Sequence, residues 1–296
     1  MIVHVLICLF FLLFSITADA RLITEKRDGA LYVKSADMQE TQQLFKQYKF
    51  DKFTKLNAKY PRIYFLKLPE NWETIPESDE KHLVFLKIML PLVLHENEKV
   101  LAERKNIENM LQKIKNGADL SAPEQSVLDN LAQKYDAFTR LKGKEKNIVL
   151  LHQLLDKVDA IPPSVLLATA GIYSNWGTSR LALHANSLYL QEVWYGGQGL
   201  KPLDDPDADY RYKVYSTLSE GIADHLLKLN SSVNYEYLRK SRTTARKIER
   251  PLYGPQIAAT MLLDNNLKNI AGMIDYTFSY YQLQNTDYKA QLEDIQ

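Results

Sequence analysis

One stretch in the second half of the chain is apolar at almost every position. It covers residues 165–172, and a helix with apolar side chains on all its faces is buried inside a domain. Pro162 and Pro163 precede it, and proline suits the first positions of a helix, where no amide donor is needed. Gly177 follows and can adopt the left-handed conformation that ends a helix. The pattern therefore predicts a buried helix that ends shortly before Gly177.

Polar and aromatic residues follow directly after this apolar run. Tyr173, Ser174 and Trp176 lie in the connection, and Thr178 is expected to cap a second helix that begins at Ser179. A buried helix that presents such side chains at its end commonly forms the floor of a groove. The connection is therefore a candidate binding site.

The N-terminal half carries helical periodicity. Apolar positions recur every three or four residues over 81–114, and Pro91 is expected to kink or break this helix. A capping-box pattern at residues 121–124 precedes a helix at 127–135, and a further helix is predicted at 147–158. This part of the chain is therefore expected to be helical.

The segments before the long helix are less regular. Residues 21–60 are polar with weak helical spacing, and we expect an arm that packs onto the body of the protein. Residues 62–69 are expected to form a short strand or an extended segment.

After the central run, the period changes from helical to alternating. Residues 187–195 and 210–215 alternate between apolar and polar, and a glycine-rich turn and an acidic loop separate them. This pattern predicts a small β-hairpin that carries Glu192 and Trp194 on its first strand. A capping-box pattern at 217–220 opens a helix whose buried stripe extends from Leu218 to Leu229. Further helices are predicted at 235–241, 256–263 and 267–281. The predicted class is α+β, mostly α-helical.

The N-terminal twenty residues resemble a targeting segment. They have an apolar core and end in the small-x-small sequence at 18–20, which predicts a signal peptide at 1–20 and a periplasmic or secreted protein. An uncleaved membrane anchor is the alternative. Cys8 is the only cysteine, so the mature chain would hold none. No later apolar run is long enough to span a bilayer, so no membrane contact is expected after cleavage.

Charge and motifs exclude several other functions. The formal net charge is +1, which argues against nucleic acid or anionic lipid as the main partner. The six histidines show no metalloprotease spacing, and the glycine-rich segment 196–199 lacks the lysine and the following helix of a phosphate-binding loop. We therefore expect no metal and no cofactor.

Several local motifs carry a resemblance to a known family. The run IPPSVLLATAGIYSNWGTSRLA, over residues 161–182, looks like the signature of the bacterial Bax-type glucosaminidases. Further matches lie at residues 90–97, 186–189, 215–220 and 229–235. This family is related to flagellar muramidase and autolysin glucosaminidase domains, which hydrolyse peptidoglycan. The resemblance implies a lysozyme-like glucosaminidase domain at 159–285 and an N-terminal helical region at 21–158 that packs on the core.

The chain departs from the family pattern at its site. Tyr173 stands where the resemblance implies the general-acid glutamate, and a phenol is a far weaker proton donor than a carboxyl group. By the same alignment, Leu262 and Asn269 replace two groove tyrosines, and residues 231–232 replace a Thr-His pair. The resemblance therefore implies a glycoside hydrolase by family that is weak or inactive, a pseudoenzyme at the cell wall.

Two alternatives to a glycan-binding pseudoenzyme remain open. The protein is an active or slow endo-β-N-acetylglucosaminidase if Glu192 serves as the acid, and Tyr173 is a nucleophile only if a carboxylate takes its proton. Its groove could instead accept a polypeptide of a cell-envelope assembly. The candidate substrate-binding residues are Tyr173, Ser174, Trp176, Asn186, Tyr189, Glu192 and Trp194, and Tyr195 is a further candidate for stacking. For Trp176 and Tyr189, packing in the core is equally expected.

Overall fold

A computed structural model describes residues 22–50, 58–194, 196–265 and 270–295. The signal peptide predicted at 1–20, with Cys8, lies outside the described residues. Helices dominate the described chain, and they are α1 Met38–Gln47, α2 Asp79–Lys115, α3 Ala122–Lys134, α4 Gly143–Lys157, α5 Pro163–Tyr173, α6 Arg180–Ala185, α7 Leu218–Ser231, α8 Glu236–Lys247, α9 Gly254–Asn265 and α10 Ala271–Tyr281. The strands are short, and they are β1 Ile23–Arg27, β2 Ala30–Ser35, β3 Lys59–Pro61, β4 Ile63–Phe65, β5 Glu192–Trp194, β6 Tyr210–Tyr212 and β7 Gln291–Glu293. This architecture confirms the predicted α+β, mostly helical class.

The strands pair into three small sheets. β1 and β2 are antiparallel, and β4 joins β2 in parallel. β3 pairs in parallel with β7 near the C-terminus, and β5 and β6 form the antiparallel hairpin. No helix in the described part of the chain is both long and apolar enough to cross a bilayer.

The 37-residue helix α2 lies at the centre of the packing. It contacts α4, α5, α7 and strand β4, and its middle section is buried on all sides. Pro91 lies in that section, yet the helix continues through it, so the predicted break is wrong. Leu90 and Leu92 beside it are almost fully buried, and their packing offsets the hydrogen bond that proline cannot donate.

Helix α5 is the buried helix that the apolar run predicted. Its residues from Ser164 to Gly171 are all buried, and Pro163 occupies its first position. The helix packs against α2, α9 and α10. Gly177 has φ of +82°, as its predicted left-handed role requires. The cap of α6 differs from the prediction, because Ser179 rather than Thr178 accepts the Ala182 amide.

The N-terminal arm is more ordered than its weak periodicity indicated. The weak helical spacing lies where α1 Met38–Gln47 forms, whereas residues 23–35 form the β1–β2 hairpin, whose turn consists of Asp28 and Gly29, both with positive φ. An Asp-Gly pair between two strands is a strong hairpin signal, which the prediction overlooked. One hydrophobic core contains residues from both sides of position 158. The division into an N-terminal region and a glucosaminidase-like domain at that position stays a prediction.

Substituting Gly177 by alanine is expected to destabilise the fold by about 2–3 kcal/mol. A Cβ atom there would lie 2.6 Å from Leu68 Cδ1 and 2.9 Å from Trp72 Nε1, in addition to the strain of a positive φ. Urea unfolding measures the loss. Gly117→Ala is the matched control, because Gly117 has φ of +89° but no atom within 4 Å of such a Cβ. Equal losses for the two variants would show that the close packing at Gly177 contributes nothing.

Candidate functional site

Tyr173 is the last residue of α5 and is half-buried. Its hydroxyl forms no hydrogen bond to any residue that the structure describes. Burial alone raises the pKa of this phenol, and no charged group contributes to the shift. A nucleophilic tyrosine needs a carboxylate to take its proton, and a general acid needs a readily released proton. Neither condition is met at Tyr173 within the described residues.

Ser174 stabilises the end of the helix. Its hydroxyl donates to the Ala170 carbonyl at 2.6 Å and accepts from the Gly177 amide at 2.9 Å. The residue is fully buried. A ligand in the groove therefore has no access to Ser174, although the sequence placed it among the binding residues.

Trp176 packs within an aromatic cluster. The imidazole of His82 stacks on its indole with ring centroids 4.0 Å apart and planes inclined by 17°. Tyr281 and Phe85 contact it edge-on, with centroids at 5.3 and 5.9 Å. Gly171 lies against the ring, where a Cβ atom would come within 2.9 Å. His82 thus covers one face of the indole, while Trp176 as a whole stays partly exposed, so its part in binding stays a prediction.

A chain of titratable groups extends from this cluster, and sequence reasoning missed it. The Nδ1 atom of His82 lies 2.6 Å from the Tyr281 hydroxyl, and its Nε2 atom is hydrogen-bonded to Glu77. Tyr280 donates to the Asp79 carboxylate at 2.5 Å. Burial, followed by the Asp79 carboxylate, raises the pKa of Tyr281 above its usual value. The only sequence signal was the one-turn spacing of Asp79 and His82 at the start of α2.

Asn186 and Tyr189 also have structural roles. Asn186 ends α6 in a left-handed conformation, and its side-chain amide donates to the Tyr215 carbonyl at 3.0 Å. Tyr189 is buried, donates to the Leu166 carbonyl at 3.2 Å, and stacks on His225 with centroids 4.0 Å apart and planes inclined by 6°. Tyr189 therefore joins the segment after α6 to helix α7 and is not available for stacking on a sugar.

The hairpin and the C-terminal part of α7 enclose an open pocket of about 470 Å³, which we call the hairpin pocket. Glu192 and Trp194 line it from β5, and residues 231–232 line it from the end of α7. Trp194 is 50% exposed, and its ring packs against the ring of Tyr210 with centroids 5.1 Å apart. Lys213 and Asp224 form an ion pair at 2.9 Å on the wall. The hairpin pocket thus collects two predicted binding residues, and Tyr173 is not part of its lining.

The strands around this pocket are shorter than predicted. β5 begins at Glu192, because residues 187–189 are buried in the core rather than alternating along a strand. His225 on α7 is buried, and burial followed by Lys228 lowers its pKa to about 3. The imidazole is therefore uncharged at neutral pH.

Tyr195, Asn269 and the side chain of Leu262 lie outside the described residues. Within the described ranges, no three His, Cys, Asp or Glu side chains are close enough to hold a metal ion.

Comparison with known proteins supports a coarse assignment. The chain is similar to Protein bax of Escherichia coli (strain K12). The two sequences are 26% identical over 211 residues, which cover 70% of this chain and 71% of that protein. No family model matches the chain, and no solved structure matches it. The similarity supports the Bax-like part of the resemblance. Glucosaminidase activity, its loss at Tyr173 and the lysozyme-like arrangement stay predictions.

Proposed function

We propose that this chain is a glucosaminidase-like protein of the bacterial cell envelope that binds peptidoglycan strands without hydrolysing them efficiently. The observation that carries the proposal is Tyr173, a half-buried phenol at the end of α5 without a hydrogen-bonding or charged neighbour among the described residues. Glycoside hydrolysis needs a proton for the leaving oxygen, usually from a carboxyl group. Secretion through the N-terminal signal peptide is part of this proposal.

The hairpin pocket is the surface that we assign to glycan binding. It is open, its lining is mainly polar, and it presents the half-exposed indole of Trp194. Sugar rings bind by stacking on aromatic faces and by hydrogen bonds to a few polar groups. Ser231, Ser232 and Asn234 supply such groups on the opposite wall.

Trp194→Ala is expected to weaken co-sedimentation with insoluble peptidoglycan by about tenfold, because an exposed aromatic platform supplies much of the binding energy at such a surface. Phe138→Ala is the matched control, since Phe138 is 72% exposed and does not line the hairpin pocket. Unchanged co-sedimentation of the Trp194 variant would contradict the assignment of this pocket.

Slow hydrolysis by Glu192 is the second candidate function. Glu192 shares the hairpin pocket with Trp194, which places a carboxylate beside the proposed platform. Its side chain is exposed on β5, however, and lacks the apolar surroundings that suit a general acid. Zymography separates the two functions, since lysis that Glu192→Gln abolishes would establish the hydrolase. A pull-down tests the remaining alternative. If the protein retains an envelope protein but binds no peptidoglycan, the role of an interaction protein is favoured instead.

A further inference from the structure

A second pocket lies at the opposite end of α5 from Tyr173. It has a volume of about 430 Å³, within the range of small-molecule sites, and we call it the α5 N-terminal pocket. It opens between α2, the segment before α5, the loop after α8 and the segment after α10. Its walls are mainly aliphatic, formed by Leu94, Leu101, Ile161, Pro163, Leu252 and Leu292. An apolar body of small-molecule size therefore finds a matching surface there.

A carboxylate borders this pocket and joins two helices. Asp287 accepts the Ser164 amide at 3.0 Å through Oδ1, and the Ser164 hydroxyl at 2.8 Å and the Gly254 amide at 2.9 Å through Oδ2. It thereby caps the N-terminal ends of both α5 and α9. Burial raises the pKa of Asp287 to about 6. Its oxygens are engaged by these donors, so Asp287 holds the pocket in shape.

Two other charged groups of the pocket are neutralised by partners. Arg246 forms a paired interaction with Asp159 at 2.7 and 2.9 Å, and Glu98 accepts from Arg62 at 2.9 Å. Lys289 is different, since it is exposed at the rim and has no ion-pair partner among the described residues.

An adjoining pocket of about 630 Å³ is also bordered by an exposed cation. It lies across the ridge formed by Pro251 and Leu252, and it shares Asp287 with the first pocket. Arg250 lines it and is exposed, again without an ion-pair partner in the described part of the chain. Exposed cations without ion-pair partners among the described residues therefore border both sides of the ridge, so an anionic group can lie beside a cation there.

We propose that the α5 N-terminal pocket is a binding site for a small amphipathic anion. The apolar body of the ligand lies against Leu94, Ile161 and Leu252, and its carboxylate, sulfonate or phosphate group lies at Lys289. This site is separate from the hairpin pocket and goes beyond glycan binding, so its test requires no peptidoglycan.

Fluorescence titration with anilinonaphthalene sulfonate tests the proposal, because this probe combines an aromatic body with one anionic group. We expect saturable binding to the folded protein. Lys289→Gln is expected to weaken that binding by about threefold, as the loss of one exposed charge contact should. N-phenylnaphthylamine, the probe without the sulfonate, should bind both proteins equally. Lys26→Gln removes an exposed lysine from β1 and is the charge control.

A second variant tests the apolar wall. Leu252→Asp places a carboxylate in the pocket and is expected to weaken binding of both probes, with folding checked by circular dichroism. If this variant fails to fold, the comparison of the two probes on Lys289→Gln decides alone. The absence of saturable binding would overturn the proposal. So would an unchanged affinity of the sulfonate probe for Lys289→Gln, or an equal loss for both probes.

Discussion

Tyr173→Glu is expected to raise the rate of peptidoglycan hydrolysis by about 10² to 10⁴-fold, the usual contribution of a positioned general acid, provided that a strand bound in the hairpin pocket extends to the end of α5. The end of α5 is half-buried, and its burial already raises the pKa of the phenol there. The same environment disfavours an ionised carboxylate, so a carboxyl group at this position should retain its proton near neutral pH. Release of reducing ends from purified sacculi measures the gain.

Tyr173→Gln is the matched control for this experiment. Glutamine has nearly the same shape as glutamate but cannot donate an acidic proton, so this variant should show no gain. Suppose instead that the glutamate variant folds, binds peptidoglycan as the parent does and still releases no reducing ends. The lack of a carboxyl group at residue 173 would then not explain the proposed inactivity, and the predicted departures from the family pattern at Leu262 and Asn269 would become the explanation.

His225→Phe is expected to remove a large part of the acid sensitivity of the fold. The unfolded chain binds a proton on this histidine below a pH of about 6.5, whereas burial keeps the folded imidazole neutral until about pH 3. His225 therefore makes its full contribution to the free energy of unfolding above pH 6.5, and this contribution falls as the pH decreases toward 3. Between pH 7 and pH 4.5 this residue alone should lower the free energy of unfolding by about 2 to 3 kcal/mol. Phenylalanine preserves the stacking on Tyr189 and does not titrate.

Urea unfolding at a series of pH values measures this effect. Other groups also lose stability in acid, so the quantity of interest is the difference between the parent curve and the variant curve. His152→Phe serves as the control, since His152 is exposed on α4 and should leave the parent curve unchanged. Parallel curves for the parent and His225→Phe would contradict the burial of a neutral imidazole. Because His225 stacks on Tyr189, acid should also loosen the segment that leads to Glu192 and Trp194.

The sequence predicted the helical elements with the strongest local signals. The apolar run of α5, the left-handed Gly177 and the capping box at Ser121 and Glu124 all depend on neighbouring residues, and the structure confirms them. Pro91 was misjudged because the cost of a proline inside a helix is local, whereas the packing that offsets it comes from distant elements. The parallel pairing of β2 with β4 joins segments about thirty residues apart and left no local signal either.

The candidate site shows the same contrast between local sequence signals and packing by distant residues. Residue types predicted an aromatic groove, but they do not say which face of a ring is free. His82 covers one face of Trp176, and His225 stacks on the buried Tyr189. Both histidines lie far from these residues in sequence and carry no motif. Trp194 stays half-exposed on the short hairpin, where its ring contacts Tyr210 of the neighbouring strand. Binding candidates could thus be named from the sequence, and the structure was needed to separate packing residues from accessible ones.

The proposed function requires that this protein holds peptidoglycan without cutting it. The test incubates the purified protein with sacculi and measures bound protein and newly formed reducing ends in the same samples. We predict co-sedimentation of the protein with a release of reducing ends no greater than that of Tyr173→Gln. Release at about one bond per second or faster, the rate of an ordinary enzyme, would contradict the account.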